Sequence, residues 1–135
     1  SFTAMTAIYD TMQYIRPQVM TVVLGMAASA AAVIAAGGSE GKRLALPNSR
    51  VLIHQPAFGG SGHGMASDIE IQAAEIQQMR EWLEETLSKH SKKTPAEISK
   101  DIERDKTLSA AEAVEYGLID QVLSSRKNAG ALAAR

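Results

Sequence analysis

The chain has 135 residues, of which 45% are hydrophobic and 21% charged, a balance typical of one folded domain or of part of one. The charges of its 14 basic and 15 acidic residues nearly cancel, which argues against the concentrated positive face that binding to a nucleic-acid backbone requires. The absence of cysteine excludes disulfides, thiolate metal sites and a cysteine nucleophile, and 4% of aromatic residues is too few for a base-stacking platform.

The first third of the chain predicts a helix, a buried strand and a second helix. Apolar residues at helical spacing indicate a helix over residues 3–15, with Ser1 as its N-cap and Pro17 beyond its end. A β-branched run favours a strand over 19–24, then a turn at 25–28 and a helix that begins near Ser29 and ends at Gly37. The uncharged residues 18–39 are also long enough to span a membrane, but their alanine-rich second half favours the buried strand and helix.

The remaining chain continues this alternation of strands and helices. It predicts strands at 43–46 and 50–53 around a turn, a glycine-rich extended stretch at 57–66, a long helix from Ser67 to about His90, helices after Thr94 and Ser109, and a strand at 118–123. Ser67 and Glu70 form a predicted capping box, and the long helix carries an apolar stripe. We expect an α/β fold with one domain over 1–123 and a polar tail over 124–135. No internal repeat is visible.

Among the serines, Ser29 has the surroundings most typical of a nucleophile. It lies where a strand is expected to enter a helix, and alanines flank it on both sides. Small neighbours let a substrate backbone approach, and the first N–H groups of a helix are free to stabilise an oxyanion. The alternative interpretation is a small residue that lets a buried helix pack closely. The motif differs from the Gly-x-Ser-x-Gly elbow of α/β hydrolases.

His54 is the favoured base, since a histidine at the end of a strand is rigidly held yet can face a cleft. The alternative is a partly buried histidine with a structural role. His63 lies in a glycine-rich run and His90 at a helix end, and neither position favours a base. No two histidines have the spacing of a zinc site, so we expect no metal. Asp101 and Asp105 lie one helical turn apart, and no local feature distinguishes either from a solvated charged face.

The glycine-rich stretch after His54 has two interpretations. It is either a loop without fixed structure or an extended edge that accepts a peptide strand by backbone pairing. It lacks the Gly-x-x-x-x-Gly-Lys-Ser/Thr phosphate loop, so we predict no nucleotide site.

Ordered segments along nearly the whole chain resemble the family of Clp protease proteolytic subunits (ClpP), which are self-compartmentalised serine peptidases. The resemblance extends to about Leu123 and is carried by Ala7-Ile8-Tyr9-Asp10-Thr11-Met12-Gln13, Gly25-Met26-Ala27-Ala28-Ser29, Gly41-Lys42-Arg43-Leu44-Ala45-Leu46-Pro47-Asn48-Ser49-Arg50, Ile53-His54-Gln55-Pro56, Asp68-Ile69-Glu70-Ile71-Gln72-Ala73, Glu103-Arg104-Asp105, Leu108-Ser109-Ala110 and Ala113-Val114-Glu115-Tyr116-Gly117-Leu118-Ile119-Asp120. It implies a ClpP/crotonase-like superhelix of repeated β-β-α units with a long handle helix. The family's N-terminal part would precede Ser1.

The resemblance also implies the roles of individual residues. Ser29 aligns with the nucleophile, His54 with the general base and Asp105 with its orienting carboxylate, in an endopeptidase that cleaves unfolded polypeptides through an acyl-enzyme. The oxyanion would be held by the backbone N–H of Ala30 and by an N–H from a Gly-Gly pair upstream of Ser1. This chain has Ala30-Ala31 where the family has Met-Gly, and a backbone donor tolerates that change.

Substrate contacts are implied as well. Phe58, Gly59 and Gly60 align with the strand that pairs with the peptide, and Leu83 aligns beside the scissile bond. The gap from base to acid is slightly longer than in the family pattern, with the surplus within residues 57–67, so catalytic geometry should persist while substrate pairing or ring contacts change.

The family assembles as two stacked seven-membered rings, fed in the cytoplasm by a hexameric ATP-driven unfoldase. Arg104 resembles the residue whose ion pair joins the rings, with Asp68 or Glu70 as its partner. The chain itself would need no cofactor, because ATP is used by the unfoldase, and neither nucleic acid nor membrane is an expected partner.

Two other functions are compatible with the sequence. One is a catalytically weak or silent structural subunit of a mixed ring, which the absent Gly-Gly donor and Ala30-Ala31 would favour. The other is a crotonase-like acyl-CoA enzyme, since that fold also stabilises an oxyanion, although a Ser-His-Asp set is not what such enzymes need.

Overall fold

Helices and short strands alternate along the part of the chain that a computed structural model describes, residues 1–57 and 64–125. The elements are α1 (Phe2–Tyr14), β1 (Thr21–Val23), β2 (Met26–Ala28), α2 (Ala30–Ala36), β3 (Arg43–Ala45), β4 (Arg50–Ile53), α3 (Ala66–Lys89), α4 (Pro95–Asp101), β5 (Lys106–Ser109), α5 (Ala110–Tyr116) and β6 (Gln121–Val122). The predicted α/β class and the long helix are confirmed.

Two successive β-β-α units, β1-β2-α2 and β3-β4-α3, form the frame of the fold, and equivalent strands of the units pair in parallel. One sheet has the order β1-β3-β6, and the other has the order β2-β4-β5. β5 runs antiparallel to β4 and pairs Ile53 with Lys106. The two strands of each unit therefore enter different sheets, which carries the chain forward as a superhelix.

The core lies between the two sheets and the helices that cover them. Its largest side chains with less than 2% exposure are Leu44, Ile53, Leu87, Ile98, Ile102, Leu118, Ile119, Val33 and Val51. Each such burial stabilises the fold by about 1.5–3 kcal/mol relative to exposure. The core thus includes the C-terminal half of α3, whereas the predicted stripe of α3 does not continue into its first half, where Ile69 is 47% exposed.

Most of the predicted helix ends are confirmed. The hydroxyl of Ser1 accepts from the N–H of Ala4, and complete capping boxes begin α4 at Thr94 and α5 at Ser109. Gly117 ends α5 with φ of 96°, a left-handed conformation that only glycine adopts without strain. The predicted Ser67–Glu70 box is wrong, because α3 begins one residue earlier with Met65 at the cap and no side-chain cap bond. Ser67 lies inside the first turn, where its hydroxyl cannot serve as the cap.

The strand prediction needs correction in two places. Residues 26–28 were expected to turn but form β2, which pairs with β4. The strands predicted on either side of Pro47 are confirmed as β3 and β4, and they lie in different sheets. β5 was not predicted, because Lys106-Thr107-Leu108-Ser109 contains a single large apolar residue and only its cross-strand partners make it a strand.

Within residues 1–57 and 64–125, no helix combines the length and the apolar character needed to cross a membrane. Residues 18–39, which were long enough for a span, contain β1, β2 and α2 instead.

Candidate active site

Ser29 occupies the sharp link between β2 and α2 in an unusual backbone conformation. Its φ is 56° and its ψ is −117°, and within the described ranges it is the one non-glycine residue with a positive φ. Its N–H donates to Leu52 O at 2.9 Å, which ties the link to β4. Such a conformation costs about 1–3 kcal/mol and is concentrated at functional sites. The fold therefore holds this serine in strain.

Exposure separates the two interpretations of Ser29. A serine that only lets a helix pack closely would be buried, as Ala32 is at 0% exposure. Ser29 is exposed, while the α2 residues behind it fill the core. The close packing of α2 thus comes from its alanines, and the hydroxyl of Ser29 is left accessible.

His54 follows the last residue of β4 and is half-buried. Ala28 pairs with Leu52 across the parallel strands, so Ser29 and His54 extend from the carboxyl ends of neighbouring strands. The Nδ1 atom of His54 lies 2.6 Å from Gln55 O. Because a carbonyl oxygen only accepts, that contact places the proton on Nδ1 and leaves Nε2 with a free lone pair. This is the tautomer that a general base requires.

One cavity of about 440 Å³ contains both side chains. This volume is within the range of small-molecule and peptide side-chain sites. Its walls are mostly apolar, and Ala30 at the start of α2 and Leu83 on α3 both line it. The remaining lining residues are Ser1, Phe2, Met5, Val33, Ile53, Gln55, Pro56, Ala57, Met79 and Leu87.

Asp105 is not on the same helix as Asp101, contrary to the prediction, because α4 ends at Asp101. It lies between α4 and β5 and is exposed. The β4–β5 register pairs Ile53 with Lys106, and continued by one residue it sets His54 opposite Asp105. Among the described residues, no hydrogen bond joins the Asp105 carboxylate to His54, whose Nδ1 faces Gln55 O. The backbone thus sets acid and base opposite one another in register, and a direct bond between their side chains stays a prediction.

The structure distinguishes the two aspartates that the sequence could not separate. Asp101 accepts from the Tyr116 hydroxyl at 2.6 Å and from Lys106 Nζ at 2.8 Å. Burial alone would raise the pKa of the Asp101 carboxyl, but these two hydrogen bonds outweigh burial and lower it. The Asp101 carboxylate therefore has a structural role in these hydrogen bonds, whereas Asp105 has no such partner among the described residues.

The other histidines have different surroundings. His90 Nε2 lies 2.6 Å from the Tyr9 hydroxyl beneath α1. Burial first, and then the charges of Lys89 and Arg43, lower the pKa of His90 to about 4. His90 is a structural residue of the core edge. His63, together with the predicted substrate contacts Phe58, Gly59 and Gly60, lies outside the described residues.

The residues expected to join rings are all on the surface. Asp68 and Glu70 lie in the exposed first half of α3, and Arg104 is exposed beside Asp105. Within residues 1–57 and 64–125, Arg104 forms no ion pair with either carboxylate, so their contact stays a prediction.

The groups that bond to Gln55, the residue next to His54, were not predicted from the sequence. The side chain of Gln55 bonds to Arg80 of α3 and to the backbone at Glu103, close to both candidate triad segments. The available signal was Arg80 itself, a cation beside the predicted apolar stripe of α3, and its partner could not be read from local sequence.

Comparison with known proteins agrees with this geometry. A protein-family model described as Clp protease matches residues 1–126. The ATP-dependent Clp protease proteolytic subunit 2 of Leifsonia xyli subsp. xyli is 71% identical over 132 residues, which cover 98% of this chain and 59% of that protein. Proteolytic subunit 1 of Tropheryma whipplei is 71% identical over 127 residues, covering 94% of this chain and 61% of the relative. Proteolytic subunit 1 of Rhodococcus jostii is 65% identical over 127 residues, which cover 94% of this chain and 57% of that protein.

The chain spans about three fifths of the length of the curated relatives it matches. The match nevertheless includes every described element, from α1 to β6. By this family match and these identities, the chain belongs to the Clp protease family.

Proposed function

We propose that the protein carrying this chain is a serine endopeptidase, the proteolytic core subunit of an ATP-dependent Clp-type protease. The observation that carries the proposal is the strained, exposed Ser29 in one cavity with His54, whose Nε2 is left to accept a proton. The relatives' printed names, which say proteolytic subunit, support a catalytic role rather than a silent one.

The chemistry follows from the positions of the groups. As Ser29 Oγ attacks the peptide carbonyl carbon, His54 Nε2 takes the hydroxyl proton. The oxyanion that forms accepts from the N–H of Ala30, which begins α2 and lacks a partner within the helix. Collapse of this intermediate breaks the C–N bond, and His54 gives its proton to the leaving amine. The acyl-enzyme is then hydrolysed by a water that His54 deprotonates.

Asp105 would complete this cycle by stabilising the imidazolium. In the resting arrangement the Gln55 carbonyl already holds Nδ1–H, so Asp105 is not needed to select the tautomer. Its charge, opposite His54 in the continued β4–β5 register, favours the protonated imidazole that forms during attack.

The cavity beside Ser29 supports an apolar substrate side chain next to the scissile bond. Leu83, Met79 and Val33 line it, and burial of an apolar side chain against them would supply binding energy. Phe58, Gly59 and Gly60 would extend this contact by pairing with the peptide backbone.

We also propose that the protein works in the cytoplasm as two stacked heptameric rings with a hexameric Clp ATPase. The ATPase would use the ATP, and Arg104 would meet Asp68 or Glu70 of the opposite ring. The exposure of all three side chains supports a role in contact between copies.

Labelling with a fluorophosphonate probe tests the nucleophile directly. We expect a single phosphonate adduct by intact mass, located at Ser29 by peptide mapping, and cleavage of a fluorogenic peptide by the assembled protein. Ser29→Ala should abolish both, while Ser125→Ala, at another exposed serine, should leave both unchanged. An adduct that persists in Ser29→Ala would assign the nucleophile elsewhere.

A further inference from the structure

The guanidinium of Arg80 lies where three segments of the candidate site meet. From the middle of α3 it donates to Gln55 Oε1 at 2.6 Å, just beyond β4. It also donates to Glu103 Oε2 at 3.1 Å and to Ser99 O at 3.2 Å, which belong to α4 and the link that follows it. Arg80 therefore connects α3 to the segment that carries His54 and to the segment that carries Asp105.

Hydrogen bonds hold both the side chain and the backbone of Gln55. Its Nε2 donates to Glu103 O at 2.9 Å, while its backbone N–H donates to Ile102 O at 2.7 Å. Its carbonyl oxygen lies against His54 Nδ1. With Arg80 on Oε1, the side chain and backbone of Gln55 are both fixed, and the atom that orients the imidazole is fixed with them.

The contacts of Arg80 are of the kind that can position neighbouring groups. Its side chain is 22% exposed, so water screens these bonds less than those of an ordinary surface cation. The guanidinium reaches Gln55 through Nη1 and both Ser99 and Glu103 through Nη2, and the single Nζ of a lysine cannot occupy the positions of both nitrogens. If Arg80 only stabilised α3, its ion pair with Glu84, one turn along the same helix, would be sufficient, and the other contacts would not be needed.

We propose that Arg80 is a positioning residue that acts through Gln55, holding the His54 backbone and the 102–105 segment in the register that the acid and base require. The proposal rests on the proposed function, since it assigns Arg80 a task in the same site. It makes the middle of α3 a support for the catalytic geometry: a change in α3 at this point moves the base and the acid segment together.

Kinetics of phosphonylation test the coupling in the assembled protein. We expect Arg80→Met and Gln55→Ala each to lower the phosphonylation rate constant of Ser29 about tenfold or more, the scale of cost for a misplaced group. The double variant should be little slower than either single one, because both remove the same support. Arg80→Lys should fall between Arg80→Met and the parent.

Glu84→Gln is the matched control, because glutamine can still accept from Arg80 Nε while the contacts to Gln55 and Glu103 stay intact. It should stay within about twofold of the parent. The proposal is overturned if Arg80→Met matches this control, or if its effect multiplies fully with that of Gln55→Ala.

Hydrogen exchange supplies a readout that does not depend on catalysis. The N–H of Gln55, bonded to Ile102 O, should exchange faster in Arg80→Met than in the parent, and peptides over 102–106 should do the same. Exchange in Glu84→Gln should match the parent. Unchanged exchange in Arg80→Met would refute the proposal that Arg80 holds these segments in place. If Ser29 is not labelled in the parent, the proposed function fails, and exchange alone still decides whether Arg80 holds these segments.

Discussion

The Tyr116 hydroxyl donates to Asp101 Oδ2 at 2.6 Å, and Lys106 Nζ binds the other oxygen of the same carboxylate. Asp101 and Asp105 are both acidic and four positions apart, yet this contact gives them different tasks. Asp101 joins α4 to α5 and to β5, while Asp105 faces the end of β4, opposite the position of His54 in register.

Exchanging each aspartate for asparagine should therefore produce opposite results. Asp105→Asn should lower peptidase turnover about 10³-fold, because the imidazolium loses its counter-charge, and should leave the unfolding midpoint almost unchanged. Asp101→Asn should cost about 1–3 kcal/mol of stability through its weakened hydrogen bonds and should keep most of the turnover. Peptidase assays and urea unfolding of both variants make the measurement. Equal turnover in the two variants would contradict the assignment.

His90 predicts how stability depends on pH. Its pKa in the folded protein, about 4, is below the unfolded value of about 6.5, because burial disfavours the charged ring. Between these two values the unfolded chain binds more protons, so stability falls as pH is lowered from about 6.5 to 4 and this loss is complete below 4.

The contribution of His90 should be about 1–2 kcal/mol, since the ring is only half-buried and partly screened by solvent. Unfolding midpoints measured from pH 7 to pH 4 should fall more steeply for the parent than for His90→Gln, which cannot titrate. Parallel curves would show that His90 is not the group responsible.

Arg43 is the buried charge on which the largest stability effect should fall. It binds Asp120 through Nε and Nη2, and its Nη1 donates to His90 O at 2.6 Å at the end of α3. The two side chains are 10% and 17% exposed. Arg43→Met removes the guanidinium from Asp120, whose Oδ2 keeps the backbone N–H of residue 43 at 2.9 Å, and it removes the donor of the helix-end carbonyl. Because the Asp120 charge then stays buried without its counter-charge, we expect a loss of about 3–5 kcal/mol.

Lys93→Met, which breaks the exposed pair with Glu97, is the comparison for Arg43→Met. It should cost less than about 1 kcal/mol in the same urea titration, because water screens such pairs. A similar loss in both variants would mean that burial of the Arg43–Asp120 pair does not matter.

Gly117 should not tolerate a side chain. Its φ is 96°, and a Cβ built there would lie 2.8 Å from Lys92 N. Gly117→Ala combines left-handed strain with a backbone clash, so we expect a loss of about 2 kcal/mol or more. Gly41→Ala, where φ is 78° but a Cβ meets nothing within 4 Å, isolates the strain. It should be the less damaging of the two in thermal unfolding.

Local patterns in the sequence determined the features that depend on a few neighbouring residues. Thr94-Pro95 and Ser109-Ala110 specify helix starts because the capping hydroxyl and the N–H it accepts from lie three residues apart. The β-branched run before Gly25 specifies a strand, and the order of motifs was sufficient to indicate the family. Ser29 and His54 could be selected as candidates because Ser29 lies where the chain was expected to pass from strand to helix and His54 lies at the end of a predicted strand.

Only the tertiary structure decided how those candidates relate to one another. β5 becomes a strand by pairing with β4, and this pairing alone sets Asp105 rather than Asp101 opposite His54. The strain at Ser29 arises where β2 meets α2 while its N–H is held by Leu52, a residue 23 positions later. Arg80 reaches Gln55 across a similar separation of 25 positions. Contacts between distant segments depend on the relative placement of whole elements, which no local spacing of residues encodes.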